Sequence, residues 1–133
     1  MKMDIGMEDR NIENELTEEI IACAIAVHRE LGPGLLESIH GEAMAFELAY
    51  AGLVFVRQVE MPLVYKGQAL SGSFRIDMVV ENKVVVELKI VEAILPVHEA
   101  QLPSYMRLGG WKIGLLLNFK SSLLRDGIRR MVL

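Results

Sequence analysis

Three charged residues stand in stretches that are otherwise largely apolar: Asp77 in Ala69–Val80, and Glu87 and Lys89 in Val84–Ile90. Strand alternation puts Val84, Val86, Leu88 and Ile90 on one face and Val85, Glu87 and Lys89 on the other. Charge in such a strand needs a partner if buried, although the Glu–Lys pair alone also fits an exposed sheet face. The preceding strand bears on the choice. A hairpin with a three-residue loop (Glu81, Asn82, Lys83) pairs residues whose numbers sum to 164, which sets Asp77 opposite Glu87 at about 5 Å on one face. A two-residue loop would place them on opposite faces. Two carboxylates held that close repel, and a divalent cation relieves the repulsion. Hard oxygen ligands suit Mg²⁺ or Mn²⁺, which activate water and stabilise the charge that develops in phosphodiester hydrolysis. Lys89 would orient or help deprotonate that water, or bind the scissile phosphate.

Other motifs fall around this set. Gln101-Leu-Pro-Ser-Tyr105 places two polar side chains at i, i+4 on one helix face. Gly34-Leu-Leu-Glu37-Ser-Ile-His40 opens an earlier helix, where a glutamate is also favoured simply by the helix dipole. Asp77-x9-Glu87-x-Lys89 resembles the core motif of the PD-(D/E)xK nucleases, and Gln101–Tyr105 looks like the Q-x-x-x-Y motif of their RecB-type exonuclease branch. The Gly34–His40 segment resembles the signature of the small bacterial GxxExxY proteins of the same superfamily. The similarity runs from about Ile20 to Arg130, through AVHRELGPGLLES, VELKIVEAILPVHEAQ, LLLNF and DGIRR. The resemblance implies a restriction-endonuclease-like core and a DNA nuclease, DNA ahead of RNA. It implies Glu37, Asp77 and Glu87 as metal ligands, with Lys89, Gln101 and Tyr105 completing the site. Two departures stand out: His40 replaces the signature tyrosine, and Pro103 lies within the Gln101–Tyr105 helix, where it removes an N–H that would bond to Glu99. Imidazole can donate, accept or ligate a metal, so the first change leaves activity open. The alternative function is a catalytically silent nucleic-acid-binding or regulatory module on the nuclease fold.

The elements that must position these residues follow from periodicity. Thr17 reads as an N-cap, with Glu18 and Glu19 behind it. Ile20, Ala24, Val27 and Leu31 form a helical stripe that ends at Gly32-Pro33-Gly34. A second helix is expected from Leu36 to Ala51, its apolar stripe Ile39, Ala43, Phe46 and Tyr50. Strands follow at Leu53–Glu60, Leu63–Tyr65 and Ala69–Val80, broken at Met61-Pro62 and Lys66-Gly67, then at Val84–Ile90. A helix over Val97–Leu108, a strand over Trp111–Phe119 and a basic helix over Ser122–Met131 complete the chain. The order ααββββαβα describes an α/β (α+β) domain, a mixed central sheet flanked by helices.

The 133 residues suit one domain, 13–133, behind a polar tail over 1–12. Hydrophobic residues reach 52% with aromatics at 6%, so the core is aliphatic. Net charge is −8 over residues 1–50 (three Lys/Arg, eleven Asp/Glu) and +4 beyond (eleven against seven), which permits a nucleic-acid surface without requiring one. No stretch approaches the roughly 18 apolar residues of a membrane span. The N-terminus lacks a signal-like apolar core, and the single Cys23 excludes an internal disulfide. A cytoplasmic protein without a membrane partner is expected, and a homo-oligomer stays open. His28 is expected to make a structural hydrogen bond, His98 to sit at a helix start, and Trp111 to join the core. Arg125, Arg129 and Arg130 read as a solvated last helical turn or as phosphate contacts.

Overall fold

The computed structural model describes the backbone of residues 6–133 and the side chains of residues 14–133. Helix α1 spans Gly6–Leu31 and α2 spans Glu37–Tyr50. Strands β1 (Phe55–Tyr65), β2 (Gln68–Val80) and β3 (Val84–Lys89) follow, then α3 (Pro96–Gly109), β4 (Ile113–Asn118), a 3₁₀ turn (Leu124–Gly127) and β5 (Ile128–Val132). The strands form one five-stranded sheet in chain order, β1-β2-β3-β4-β5. Only β3 and β4 pair in parallel, joined through α3; the other neighbours are antiparallel.

The core lies on both faces of the sheet. On one, Ile20, Ala24 and Val27 of α1 and Met44 and Leu48 of α2 meet Met78, Val80, Val84, Val86, Leu115 and Leu117. On the other, Leu102 and Met106 of α3 meet Ile76, Val79, Val85 and Leu116. With helices on both sides, β3 and β4 are apolar except at Glu87, Lys89 and Asn118, as strands covered on two faces tend to be. Gly114 lets α3 approach β4: a Cβ there would meet the Met106 and Leu102 side chains.

Several expectations change. α1 begins upstream of Thr17, which is buried inside the helix with its hydroxyl donating to the Asn14 carbonyl (2.9 Å). The apolar stripe reaches back to Leu16, so Thr17 lies within the helix and not at its start. Of the tail expected over 1–12, residues 1–5 lie outside the described residues and 6–12 run as helix. α2 is turned relative to its expected stripe: His40, Gly41, Met44 and Leu48 face inward, while Phe46 is 67% and Tyr50 85% exposed. Both faces are apolar enough to serve, and the tertiary fit decides.

Met61-Pro62 does not break β1. The strand runs on with a bulge between Pro62 and Val64, tolerable because β1 is the sheet's end strand and a missing N–H can face outward. The basic C-terminal helix is replaced by the 3₁₀ turn and β5. β5 pairs with β4 from Leu117↔Ile128 to Ile113↔Val132 and satisfies an edge of buried β4 that would otherwise lack partners. The observed order is therefore ααβββαββ. Cys23 is buried, as expected.

The turn of α2 is testable by urea unfolding. Met44→Ala and Leu48→Ala should each cost about 2–5 kcal/mol, whereas Phe46→Ala and Tyr50→Ala should stay within roughly 0.5 kcal/mol of wild type. The reverse ranking would put the outer stripe in the core.

Candidate active site

The β2–β3 hairpin has the register that the charged residues required. Val80↔Val84, Val79↔Val85 and Met78↔Val86 pair across a loop of residues 81–83. Glu81 and Asn82 both take left-handed backbone conformations (φ 53° and 52°). The Glu81 carboxylate accepts the Val54 N–H, and the Asn82 side chain accepts the Trp111 indole N–H. These bonds tie the loop to its neighbours.

Main-chain pairing ends where Asp77 and Glu87 begin. The Asp77 N–H donates to Glu87 Oε1 (3.0 Å), and the Leu88 N–H donates to Asp77 Oδ2 (2.8 Å). Each carboxylate thus takes a main-chain donor of the neighbouring strand. On the other side of Asp77, the β1–β2 ladder skips Gln58, whose φ of 54° is left-handed. Side-chain alternation breaks here too: Ile76 packs on the α3 face, and Met78, two residues on, packs on the α1/α2 face. The sheet is locally opened around Asp77. The second oxygens, Asp77 Oδ1 and Glu87 Oε2, have no hydrogen bond among the described residues. Among the described residues no buried side-chain N or O lacks a partner, so these two oxygens reach solvent.

Electrostatics gathers residues distant in sequence. Burial pushes the Glu87 carboxyl up to about 8, with the nearby Asp77 charge adding to the effect. Burial likewise raises Asp77, against the opposing pull of the Leu88 N–H, Lys89, Arg57 and Arg75. Glu37, in the first turn of α2, is raised by burial and by Asp77 and lowered by Lys89. Lys89 is therefore the cation common to all three carboxylates. The Tyr105 phenol is raised by burial and then by Glu87 and Asp77, which brings α3 to the same place.

Glu37, Ser38, Gly41, Arg57, Gln58, Asp77, Met78 and Leu88 line a cavity of about 140 Å³. His40 fixes the approach to Glu37. It is fully buried and stacks on Phe119 (4.7 Å between centroids); Nε2 lies 2.9 Å from the Gly32 carbonyl oxygen and Nδ1 3.2 Å from that of Leu36. It clamps the loop ahead of α2 and is not aimed at a metal. α3 runs unbroken through Pro103, so Gln101 and Tyr105 keep their one-turn spacing. Tyr105 stacks on Phe74 (4.3 Å, 12°), while Gln101 is half-buried and makes no hydrogen bond among the described residues.

The family model described as the PD-(D/E)XK nuclease superfamily matches residues 14–131. The chain belongs to this superfamily. No curated protein and no solved structure matches it. The α+β architecture fits a restriction-endonuclease-like core, and membership makes nucleic acid the substrate class. Among the described residues, no helix is long and apolar enough to cross a membrane.

PD-(D/E)XK nucleases generally use divalent metal ions. No three His, Cys, Asp or Glu side chains among the described residues form a ready-made metal cluster. The donor chemistry fits such an ion nonetheless: two hard oxygens reach solvent on carboxylates whose other oxygens are fixed by backbone N–H groups, with Glu37 close enough to feel Asp77. The remaining histidines have other work. His28 Nε2 bonds the Ser121 carbonyl (2.7 Å), and His98 Nδ1 accepts the Leu95 N–H at the start of α3 (2.9 Å). Trp111 is half-buried against the α3-side core. Arg129 pairs with Glu99 (3.3 Å) and Arg130 donates to Asn14 (2.6 Å), both from β5 and not from a helical turn.

Sequence reasoning missed four residues here. Arg57 and Arg75 act on Asp77 from β1 and β2, Phe74 seats Tyr105, and Asn118 pins the end of β3. The Asn118 side chain accepts the Val91 and Lys120 N–H groups and donates to the Val91 carbonyl. Its place in LLLNF, a polar residue ending an apolar strand, was the available signal. Arg75 and Phe74 lie beside Asp77 in sequence, but nothing local marks Arg57.

The raised carboxyl of Glu87 predicts a pH dependence. The folded state holds its proton more tightly than the unfolded chain, so stability is greatest below about 4.5 and falls as pH rises to about 8. In EDTA, the unfolding midpoint should drop across that window. Glu87→Gln should flatten the drop and unfold at a higher temperature than wild type at pH 8. Mn²⁺ should raise the midpoint more at pH 8 than at pH 5, because protons compete for its ligands. A wild-type profile that Glu87→Gln leaves unchanged would contradict the buried charge.

Proposed function

We propose that the chain is a Mg²⁺- or Mn²⁺-dependent nuclease that hydrolyses phosphodiester bonds in DNA in preference to RNA, related to the RecB-type branch and the GxxExxY proteins. The observation that carries this reading is the opened β2–β3 ladder. Two carboxylates there are locked by each other's strand, each presents one free oxygen, and Lys89 and Glu37 converge on them.

Asp77, Glu87 and Glu37 would hold the cation, which supplies Lewis-acid stabilisation of charge developing on the phosphate. The chain's own groups do the rest. Lys89, at the end of β3, points a cation at the phosphate oxygens or at the attacking water, whose oxygen bonds to phosphorus as the bond to the leaving sugar oxygen breaks. The Leu88 and Asp77 N–H groups fix the two carboxylates, so little reorganisation is needed as charge moves. Tyr105, held by Phe74, would turn its hydroxyl toward the carboxylates that act on it, Glu87 and Asp77, and Gln101, a turn earlier, would offer an amide to the nucleic acid.

A second reading, a silent nucleic-acid-binding module, has one observation in its favour: the three carboxylates are not gathered into a metal cluster. Calorimetric titration separates the two. Mn²⁺ should bind stoichiometrically to wild type and not to Glu87→Ala. Purified protein should cleave DNA with Mg²⁺ or Mn²⁺, and Asp77→Ala, Glu87→Ala and Lys89→Ala should each lower the rate by roughly 100-fold or more. Absence of both metal binding and cleavage in wild type would favour the silent module, and cleavage surviving in Asp77→Ala and Lys89→Ala would move the site elsewhere.

A further inference from the structure

We propose that Arg57, seated against Gly41, grips the nucleic-acid phosphate that flanks the scissile one on the α2 side. The inference rests on the nuclease reading and assigns it a substrate contact.

Arg57 lies on β1, paired with Met78, next to the left-handed Gln58 that opens the sheet beside Asp77. Its side chain lines the same cavity as Glu37 and Asp77. It nevertheless makes no ion pair and no hydrogen bond among the described residues. Arg75, the other arginine that acts on Asp77, differs in this respect, since it donates to Gln58 Oε1. Arg57 is thus a guanidinium in an acidic cavity whose donors are all still available.

Its seat is specific. Gly41 is buried one turn after Glu37 on the same face of α2. A Cβ on Gly41 would lie 3.2 Å from Arg57 Nη2, so that the guanidinium would have to give by a few tenths of an ångström, and in ordinary contact, 3.6 Å, with Leu88 Cδ1. Glycine within a helix is unfavourable relative to alanine, so this position trades helix stability for room. The helix carrying Glu37 and the strand carrying Arg57 meet at that gap.

The chemistry points to phosphate. A guanidinium presents a planar fork of N–H donors that matches two phosphate oxygens, which an ammonium cannot do. The location points to a flanking phosphate. Arg57 lines the cavity together with Glu37 and Gly41 of α2, whereas Lys89 is not part of that lining. With Lys89 at the reacting phosphate, Arg57 takes the next one.

The test is cleavage of a short fluorescent single-stranded DNA with Mn²⁺, together with anisotropy of the same DNA bound in the Lys89→Met background, where cutting is suppressed. Arg57→Met should raise KM about 10-fold and leave kcat within about threefold, because a contact made equally in ground and transition states affects binding alone. Arg57→Lys should recover part of that loss. The slope of log affinity against log salt should fall by about one phosphate contact. Gly41→Ala should raise KM in the same direction with an unfolding midpoint equal to or above wild type, a split that a purely structural role would not produce. A wild type that cuts, with Arg57→Met kinetically unchanged, overturns this inference and leaves the nuclease reading intact. A loss confined to kcat also overturns it. A wild type that does not cut but binds DNA through Arg57 supports the contact and sinks the catalytic reading. Neither cutting nor binding overturns both.

Discussion

The structure turns on an exchange of hydrogen bonds between two adjacent strands. At Asp77 and Glu87 the β2–β3 hairpin gives up main-chain pairing, and each strand's carboxylate takes an N–H of the other. Two like charges directly opposite each other in a continuous ladder would destabilise the sheet. The exchange lets both stay largely buried, each with a compensating donor, and leaves one oxygen of each free. The distortion spreads to β1, where Gln58 adopts its left-handed conformation opposite Asp77.

Everything around this point holds it in place. The loop at 81–83 sets the register. Asn118 ties the chain beyond β3 to the end of β4, and β5 completes the far edge of β4. On one face, His40 and Phe119 anchor the turn that delivers Glu37. On the other, α3 brings Tyr105 against Phe74. The apolar core supplies stability, and the polar bonds fix the two carboxylates, with Asp77 and Glu37 lining one small cavity.

Much of this could be read from the residues themselves. Asp77, Glu87 and Lys89 stood out because charge is rare in strands buried on both faces, and the three-residue loop followed from requiring the two carboxylates to meet. The phase of α2 was not legible. Ile39, Ala43, Phe46 and Tyr50 form as good a stripe as Met44 and Leu48 do with His40 and Gly41, and only packing against the sheet separates them. β5 was hidden for a similar reason: IRRMV carries no alternation of its own, and the open edge of β4 recruits it. Arg57 left no mark in β1, where an arginine looks like any solvated strand residue. Its signal lay elsewhere, in a glycine placed within a helix with no turn to explain it.

The irregularities of β1 also bear on self-association. As the end strand of the sheet, β1 offers a row of main-chain donors and acceptors beside exposed Val56, Val64 and Tyr65, the kind of border along which copies of a protein can zip together. Gln58 turns the backbone out of line near one end. Pro62 lacks an N–H, and the bulge before Val64 shifts the repeat near the other. Between these interruptions only residues 59–61 remain evenly extended, too short a run to template another strand. The twist in the chain beside Asp77 also makes this border a poor seed for aggregation.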